Sequence, residues 1–454
     1  MAEGKNYARD MTSGPIVREL VVYALPLIVG NLFQQLYNTV DSLVVGNFVS
    51  MQALAAVGST AAIINMLVLF FNGISIGAGA VISRFFGARD DNGLHRSIET
   101  TIGLTAVLSV LFTLIGYFSV PYTLRFMSTP EDVLADAALY LHIYYLGFAG
   151  LFFYNIGSAI MRAVGDTRRP LYFLIFTSIL NVFLDLYFVL ILHRAIDGVA
   201  YATVISQGIS AVLVMAVLTR SAENYRVTWH DVRIERDLSK KILGLGFPIG
   251  LQQSITAFSN VFVQGYINVH GSSVMAGWSI YTRTDQFVFL PITSMSQSAT
   301  TFVSQNMGAG RYDRAKRGTV RAVQAAWVVT AAISACVFAV APGLARLFTS
   351  EPEAVRFGTE FLRLNLPLFI LTGTNHTLAG GLRGLGNARD PMVIFLIGQV
   401  LLRQIYLFVV TKFIDEPWVV ASSFPFGWAV TCVMMYFCYR NTIRRVGELE
   451  RKSE

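Results

Sequence analysis

The stretch Met161-Arg-Ala-Val-Gly-Asp-Thr-Arg-Arg-Pro170 returns 221 residues later as Leu382-Arg-Gly-Leu-Gly-Asn-Ala-Arg-Asp-Pro391. A second motif repeats at the same offset. It comprises Ser83, Gly87, Ala88 and Arg96, which return as Ser304, Gly308, Ala309 and Arg317. Both motifs lie between long apolar runs. Two matches at one offset indicate that the chain contains a duplicated half.

The composition indicates a membrane protein. Hydrophobic residues make up 54% of the 454 residues and charged residues only 14%, against roughly 25% charged in soluble domains. The apolar residues fall in stretches of about 20 residues, which is long enough to span a bilayer. All three cysteines lie inside apolar runs, with neither a disulfide framework nor metal-ligand spacing: Cys336, Cys432 and Cys438.

The pattern predicts an all-α integral membrane protein with twelve transmembrane helices in two parallel-repeat six-helix bundles. The first bundle, or N-lobe, is expected over residues 1–219, a cytoplasmic linker over 220–241, and the C-lobe with a cytoplasmic tail over 242–454. The expected spans of the N-lobe are 19–46, 53–82, 97–120, 133–160, 170–192 and 197–219. Those of the C-lobe are 242–269, 274–304, 322–345, 357–381, 391–411 and 417–439.

Positive charge alternates between successive loops. The N-terminus, the even-numbered loops and the C-terminus hold 27 of the 35 Lys and Arg residues, whereas the odd-numbered loops hold five. This asymmetry places both termini in the cytoplasm of a multi-pass protein of the cell membrane. It also explains the net charge of +7 by topology, so no nucleic-acid partner is expected. A duplicated membrane domain of this kind is typical of secondary transporters.

Polar residues follow one face of three predicted helices in the N-lobe. In the first span they are spaced by three and four residues: Asn31, Gln34, Tyr37, Asn38 and Asp41. The fifth span carries Ser178, Asn181 and Asp185 at i, i+3 and i+7, and the sixth carries Thr203 in its second turn. Such spacing puts each set on one helix face, directed into the bundle.

The depths of three of these residues agree. With a rise of about 1.5 Å per residue, Asp41, Asp185 and Thr203 all lie roughly 8–10 Å below the outer ends of their spans. Two carboxylates at one level in a poorly hydrated lobe cannot both stay charged without cost, so the pair is expected to hold a proton or share a cation. Oxygen ligands of this kind suit a small hard cation. The alternative is that the polar groups only bond neighbouring helices, and for Asn31 and Ser178 this alternative stays open.

The second half repeats the polar stripe without its acids. The seventh span carries Gln252, Gln253, Thr256, Asn260 and Gln264. Charged residues nevertheless occur inside its spans, and Arg283, Asp285 and Arg403 form a weaker C-lobe candidate site.

With these features, the chain resembles the MATE (multidrug and toxic compound extrusion) family. The resemblance is carried by the two repeated loop motifs and by the stretch Pro26-Leu-Ile-Val-Gly-Asn-Leu-Phe-Gln-Gln-Leu-Tyr-Asn-Thr-Val-Asp41, and it covers nearly the whole chain. It implies export of amphipathic, often cationic, compounds by alternating access, driven by inward movement of H+ or Na+. It implies no other cofactor, and small-molecule substrates, membrane lipids and a functional monomer are expected.

The resemblance also implies which residues act. The cation-coupling residues of the family's N-lobe site, which could hold H+ or Na+, fall here on Asp41, Asn181, Asp185 and Thr203. The family's drug-facing positions fall on Gln34, Tyr37, Asn155 and Ser178. The family's other branch uses acids in the seventh and tenth helices, and the corresponding regions here, Gln252 to Asn260 and Thr372 to His376, contain no acid. The chain therefore resembles the DinF-like prokaryotic branch.

Three other classes of protein fit the sequence less well. A flippase of a lipid-linked precursor in the same superfamily is the nearest alternative, although it should line its cavity with several cations, and only Arg283 and Arg403 qualify. A major-facilitator transporter is disfavoured because the Gly87-Ala-Arg-Asp-Asp-Asn loop lacks that family's Asp-Arg-x-Gly-Arg pattern. An enzyme is not expected, because no zinc-protease motif, nucleophile elbow or phosphate-binding lysine loop occurs and no catalytic residue is proposed.

Overall fold

The computed structural model describes residues 8–48, 51–127 and 129–453. Side chains are described over residues 8–40, 56–58, 60–127 and 129–448, so the side chain of Asp41 lies outside the described part. The prediction of an all-α membrane fold is confirmed. The helices are α1 (Ile16–Phe48), α2 (Met51–Ala88), α3 (Asp91–Phe126), α4 (Glu131–Leu146), α5 (Phe148–Ala163), α6 (Arg168–Leu186), α7 (Ile196–Arg220), α8 (Arg236–Asn268), α9 (Ser272–Gly308), α10 (Tyr312–Phe348), α11 (Pro352–Asn365), α12 (Phe369–Gly384), α13 (Arg389–Phe395), α14 (Arg403–Val410) and α15 (Pro417–Ser453).

Short irregular turns connect several of these helices into longer segments. A π-helical turn, Tyr187–Ile191, continues α6, and a second, Leu396–Leu402, joins α13 to α14. A 3₁₀ turn, Leu366–Leu368, joins α11 to α12. With these joints, and with α4 and α5 taken together, the described residues form twelve helical segments, the number that the sequence predicts.

Eight helices of the described residues are long and apolar enough to cross a membrane, or nine if the bent pair α4 and α5 forms one span. That pair is bent by 47° at Gly147. A Cβ at Gly147 would lie 2.2 Å from a methyl carbon of Val204. The glycine therefore allows α7 to pack directly against the bend, which lies inside the span expected over 133–160.

The chain divides into two compact units. Unit 1 comprises Met1–Asp10 and Val29–Gly246, and unit 2 comprises Met11–Ile28 and Phe247–Glu454. The units thus differ from the lobes expected at 1–219 and 242–454, because the first part of α1 belongs to unit 2 and the first part of α8 to unit 1. The functional lobe boundaries stay a prediction.

Each unit has its own aromatic core. In unit 1 the ring of Phe71 contacts Phe112, Phe148 and Phe152, with centroids 4.3–4.7 Å apart. In unit 2 the core centres on Trp278, whose neighbours include Tyr281, Phe361 and Phe424. Edge-to-face contacts of this kind add to the stabilisation from burial.

The repeated loop motifs have the same structure in both units. Gly165 and Gly386 follow the ends of α5 and α12 with φ of 87° and 95°, the left-handed conformation that glycine adopts without a steric cost. The next residue in each loop donates its N–H to a carbonyl five residues earlier, at 3.0 Å in unit 1 and 2.9 Å in unit 2. This is the Schellman arrangement that ends helices, and it explains why glycine recurs at the 221-residue offset.

The repeated serines also make equivalent contacts. Ser83 on α2 donates to the carbonyl of Ala163 at 3.0 Å, and Ser304 on α9 donates to the carbonyl of Gly384 at 3.4 Å. Each bond ties one helix of a unit to the last turn of another. The duplication inferred from the loops is therefore visible as repeated hydrogen bonds.

Candidate cation and substrate sites

Three residues of the predicted cation site lie together in unit 1. The groups around Asn181 fix the orientation of its amide. The nitrogen donates to Oδ2 of Asp185 at 3.0 Å, and the oxygen accepts from the backbone N–H of Thr203 at 3.3 Å. The first bond lies within α6, and the second connects α6 to α7, the next helix in the chain.

The arrangement is deeply buried. Asp185 is fully buried, and the exposed fractions of Asn181 and Thr203 are 1% and 5%. A carboxylate in such a place is costly unless hydrogen bonds or a cation compensate for its lost hydration. The amide of Asn181 provides one such bond.

The local sequence explains why these polar groups face inward. The outward face of α6 near Asn181 and Asp185 is large and apolar. Its residues Phe176, Ile179 and Phe183 are all more than half exposed. Asn181 and Asp185 are four residues apart, which places them on the opposite, buried face. The helical spacing seen in the sequence therefore predicted the orientation correctly.

The hydroxyl oxygens on α7 provide further ligands. Oγ1 of Thr203 is buried and has no hydrogen-bond partner among the residues that the structure describes. The same holds for Oγ of Ser206, which is 5% exposed and follows Thr203 by three residues on the same helix. Sequence reasoning missed Ser206, although its i+3 spacing from Thr203 was a signal for it.

The remaining predicted residues of unit 1 are spread along its helices. On α1, Gln34 is exposed and Tyr37 is half-buried. Asn155 on α5 is half-buried and donates to the carbonyl of Leu151 in its own helix at 2.9 Å. Ser178 is buried on α6, one turn before Asn181. Asp41, on α1, has its side chain outside the described residues, so its place in the cluster stays a prediction.

Two of the charged residues of unit 2, Asp285 and Arg403, lie near the same side chain, Tyr281. Arg403 is 3% exposed and donates to Oγ of Ser259 and to Oδ1 of Asn260, each at 2.8 Å. Arg283 is exposed and Asp285 is half-buried. Within the ranges that the structure describes, none of the three makes an ion pair. One partner of Arg403, Asn260, belongs to the polar stripe of α8. The other, Ser259, precedes it in sequence and was missed because it lies outside that stripe.

A structural metal centre is not evident in the described part of the chain, where no group of three or more His, Cys, Asp or Glu side chains is close enough to hold one. The donors at the unit 1 cluster are instead a single carboxylate with amide and hydroxyl oxygens. Oxygen donors of this kind suit a monovalent hard cation or a proton rather than a tightly held transition metal.

Comparison with known proteins establishes the family. The MatE family model matches residues 26–187 and 247–409, which is one match in each half of the chain. The chain belongs to the MatE family. It is a membrane protein with several spans, and its two matched ranges reproduce the duplication seen in the loops.

Individual relatives agree with this assignment. The chain is 29% identical over 397 residues to the probable multidrug resistance protein YpnP of Bacillus subtilis, covering 87% of this chain and 88% of that protein. It is 26% identical to the probable multidrug resistance protein YoeA of the same organism, with 93% of each covered. A solved outward-facing structure of a multidrug resistance MATE family transporter of the MOP superfamily has the same fold, with a TM-score of 0.90 at 22% identity, covering 96% of this chain and 98% of the other.

Proposed function

We propose that this MatE protein exports amphipathic, often cationic, small molecules across the cell membrane in exchange for an inward-moving cation, H+ or Na+. The single observation that carries the cation part is the buried cluster of Asn181, Asp185 and Thr203 in unit 1. The export part is supported by the relatives, two of which are named as probable multidrug resistance proteins.

The proposed coupling follows from the charge of the cluster. Asp185 without a cation is a buried negative charge, so binding of a cation removes an unfavourable charge from the unit. The hydroxyl of Thr203 and the proposed fourth member, Asp41, would complete the set of oxygen ligands. Binding then changes the interactions of α6 and α7, which is the differential contact that a coupled conformational change requires.

The substrate residues are proposed on the same unit. Gln34 and Tyr37 on α1, with Asn155 and Ser178, offer amide, phenol and hydroxyl groups beside apolar surface. Broad recognition of amphipathic compounds fits such a mixture, because shape and apolar contact dominate binding while a few polar groups set orientation. The protein is proposed to act as a monomer in the lipid bilayer.

Export from proteoliposomes under separately imposed Na+ and H+ gradients tests the proposal. We expect one gradient to drive export of a cationic dye and the Asp185→Asn variant to abolish the driven part. Arg283→Gln, which changes an exposed charge in unit 2, is the matched control and should keep most of it. Equal loss in both variants, or driven export by Asp185→Asn, would remove Asp185 from the coupling role.

A further inference from the structure

The environment of Arg403 in unit 2 differs from that of an ordinary buried arginine. Its guanidinium is 3% exposed, and its two short hydrogen bonds reach the neutral acceptors of Ser259 and Asn260. The charge also lies over the ring of Phe424, 4.7 Å from the centroid. Buried charges are ordinarily paired with an opposite charge. In the part of the chain that the structure describes, Arg403 has no such pair.

Three hydrogen-bond donors in this region are unused. Nε of Arg403, Nε2 of Gln399 and the hydroxyl of Tyr281 are buried, and none has a hydrogen-bond partner among the described residues. Tyr281 is 2% exposed and Gln399 is 7% exposed. Buried polar groups without partners are rare in folded proteins and call for a specific explanation.

The three donors belong to one neighbourhood. Gln399 and Arg403 are four residues apart across the π turn that joins α13 to α14, so they share a helix face. The centroids of the Tyr281 and Phe424 rings lie 6.3 Å apart, and the guanidinium of Arg403 lies over the Phe424 ring. Tyr281 on α9 and Arg403 on α14 therefore pack against the same ring.

We propose that Arg403, Gln399 and Tyr281 form a binding site for a small monovalent anion inside unit 2. The ligand is a halide ion or a carboxylate group, because each of the three unused groups can donate a hydrogen bond and one of them belongs to the guanidinium of Arg403. Asp285, one turn after Tyr281 on α9, is the nearby negative charge, and it lies on the Tyr281 side of the site. The proposal concerns a different unit from the cation cluster, and it does not depend on which ion drives export.

The neutral partners favour an exchangeable anion over a permanent internal ion pair. Ser259 and Asn260 compensate part of the charge of Arg403, so the site is tolerable without its ligand. An anion would add charge-assisted hydrogen bonds, which are shorter and stronger than neutral ones. Both N–H groups of Nη2 of Arg403 already donate to Ser259 and Asn260, so a carboxylate oxygen or a halide would accept from the free Nε–H and from the donors of Gln399 and Tyr281. The same residues therefore serve either source.

Thermal unfolding of the purified protein in detergent measures the binding. At constant Na+ and ionic strength, gluconate, which is too bulky for a buried site, is replaced stepwise by chloride, bromide or formate. The wild type should show a saturable rise in unfolding temperature. Gln399→Leu and Tyr281→Phe keep the guanidinium and its neutral bonds, and each should raise the half-saturating anion concentration about tenfold.

Arg346→Gln is the matched control, because it removes an exposed arginine of the same unit that belongs to no candidate site, and it should titrate like the wild type. Arg403→Gln should abolish the saturable rise, but the first two variants decide the outcome even if this one does not fold. The proposal is overturned if the wild type responds to all anions alike, as it would if only water occupied the site, or if the variants retain the wild-type midpoint.

Transport in proteoliposomes separates the two sources of the anion. The compounds are a carboxylate-bearing rhodamine and its methyl ester, which differ only in the anionic group. Selective loss of the carboxylate-bearing dye in Gln399→Leu and Tyr281→Phe assigns the site to a substrate carboxylate. Equal export of both dyes, together with saturable chloride binding, assigns it to a free halide ion. If the wild type exports neither dye, the proposed export function fails while the binding titration still decides the anion site.

Discussion

The hydroxyl of Thr203 makes opposite contributions to stability and to cation binding, and the substitution Thr203→Val separates them. Valine has nearly the same shape but no oxygen. Because Oγ1 of Thr203 is buried without a hydrogen-bond partner among the described residues, its removal deletes an unfavourable interaction. An unpaired buried hydroxyl costs about 1–3 kcal/mol, so Thr203→Val should stabilise the cation-free protein by up to that amount.

The same change should weaken cation binding. If the oxygen is a ligand of Na+, its loss removes one interaction with a charged group, worth about 1.5–3 kcal/mol. At 1.4 kcal/mol per tenfold change, the half-saturating Na+ concentration should rise by about one to two orders of magnitude. A protein driven by H+ alone should show the stabilisation without this loss, because a proton needs only a carboxylate oxygen.

Thermal unfolding without Na+ and the Na+ dependence of export in proteoliposomes are the two assays. Thr177→Val is the matched control. Its hydroxyl is also buried, on α6 one turn before Asn181, but it donates to the carbonyl of Phe173 at 2.8 Å. The control should therefore not stabilise the protein or change its cation response. A lower unfolding temperature for Thr203→Val would refute the reasoning, since it would mean that the hydroxyl makes a useful bond.

Three further outcomes are expected. Asp41→Asn should abolish drug resistance in expressing cells while membrane abundance stays at the wild-type level on an immunoblot, and retained resistance would remove Asp41 from the coupling role. Gly246→Ala should destabilise the protein by about 1–3 kcal/mol, because the new Cβ would lie 2.7 Å from a backbone atom of α2. Gly244→Ala on the same helix is the control, because its Cβ would meet nothing within 4 Å. Thermal unfolding should show destabilisation in the first variant and none in the second. The hydrogen bond from Arg96 lowers the pKa of Glu235 below its ordinary value of 4.5. The ion pair should therefore stabilise the linker fully above about pH 4.5, and this stabilisation should be lost as the pH falls through the lowered pKa. Hydrogen exchange of the linker should show this pH dependence in the wild type and lack it in Glu235→Gln.

Much of the fold follows from the sequence, because the length of the apolar runs matches the thickness of a bilayer and the charge of the loops indicates which side of the membrane they lie on. The number of helical segments and the inward orientation of Asn181 and Asp185 were predicted from spacing alone. The hydrogen bond between Asn181 and the backbone of Thr203 was not predictable in the same way. The depth argument placed Asp185 and Thr203 at one level, but only the packing of α6 against α7 brings the amide of Asn181 into contact with the backbone of Thr203.

Other features depend on packing that leaves no periodic signal. The bend at Gly147 packs against Val204 on α7, whose methyl groups leave no room for a Cβ at position 147. The linker expected over 220–241 reads as polar, yet Tyr225 and Val227 are buried in the core of unit 1, and Arg169 donates to the hydroxyl of Tyr225 at 2.6 Å. Two apolar residues in a polar stretch are too few to predict this attachment.

The assignment of α1 to two units likewise could not be predicted from hydropathy. Within unit 2, the N–H of Met11 donates to Oε1 of Gln305 at 2.9 Å, and Ser298 donates to the carbonyl of Leu20 at 2.9 Å. These contacts involve residues nearly 300 positions apart. A hydropathy pattern reports that a helix is apolar, and it carries no information about which distant helix that surface contacts.

The π-helical turns suggest how one ancestral sequence came to carry two different polar sites. A π turn behaves as a single-residue insertion, which rotates everything after it by about 100° relative to an unbroken α-helix. In unit 1 the turn begins at Tyr187, after Asp185, whereas in unit 2 it begins at Leu396, before Arg403. Side chains at matching depths of the two copies therefore point in different directions. The repeat offset pairs Asp185 with Tyr406 and Arg403 with Val182. The acid of one copy and the arginine of the other therefore stand at different positions of the repeat, and each copy gained its own buried charge on helices that both copies need to fold.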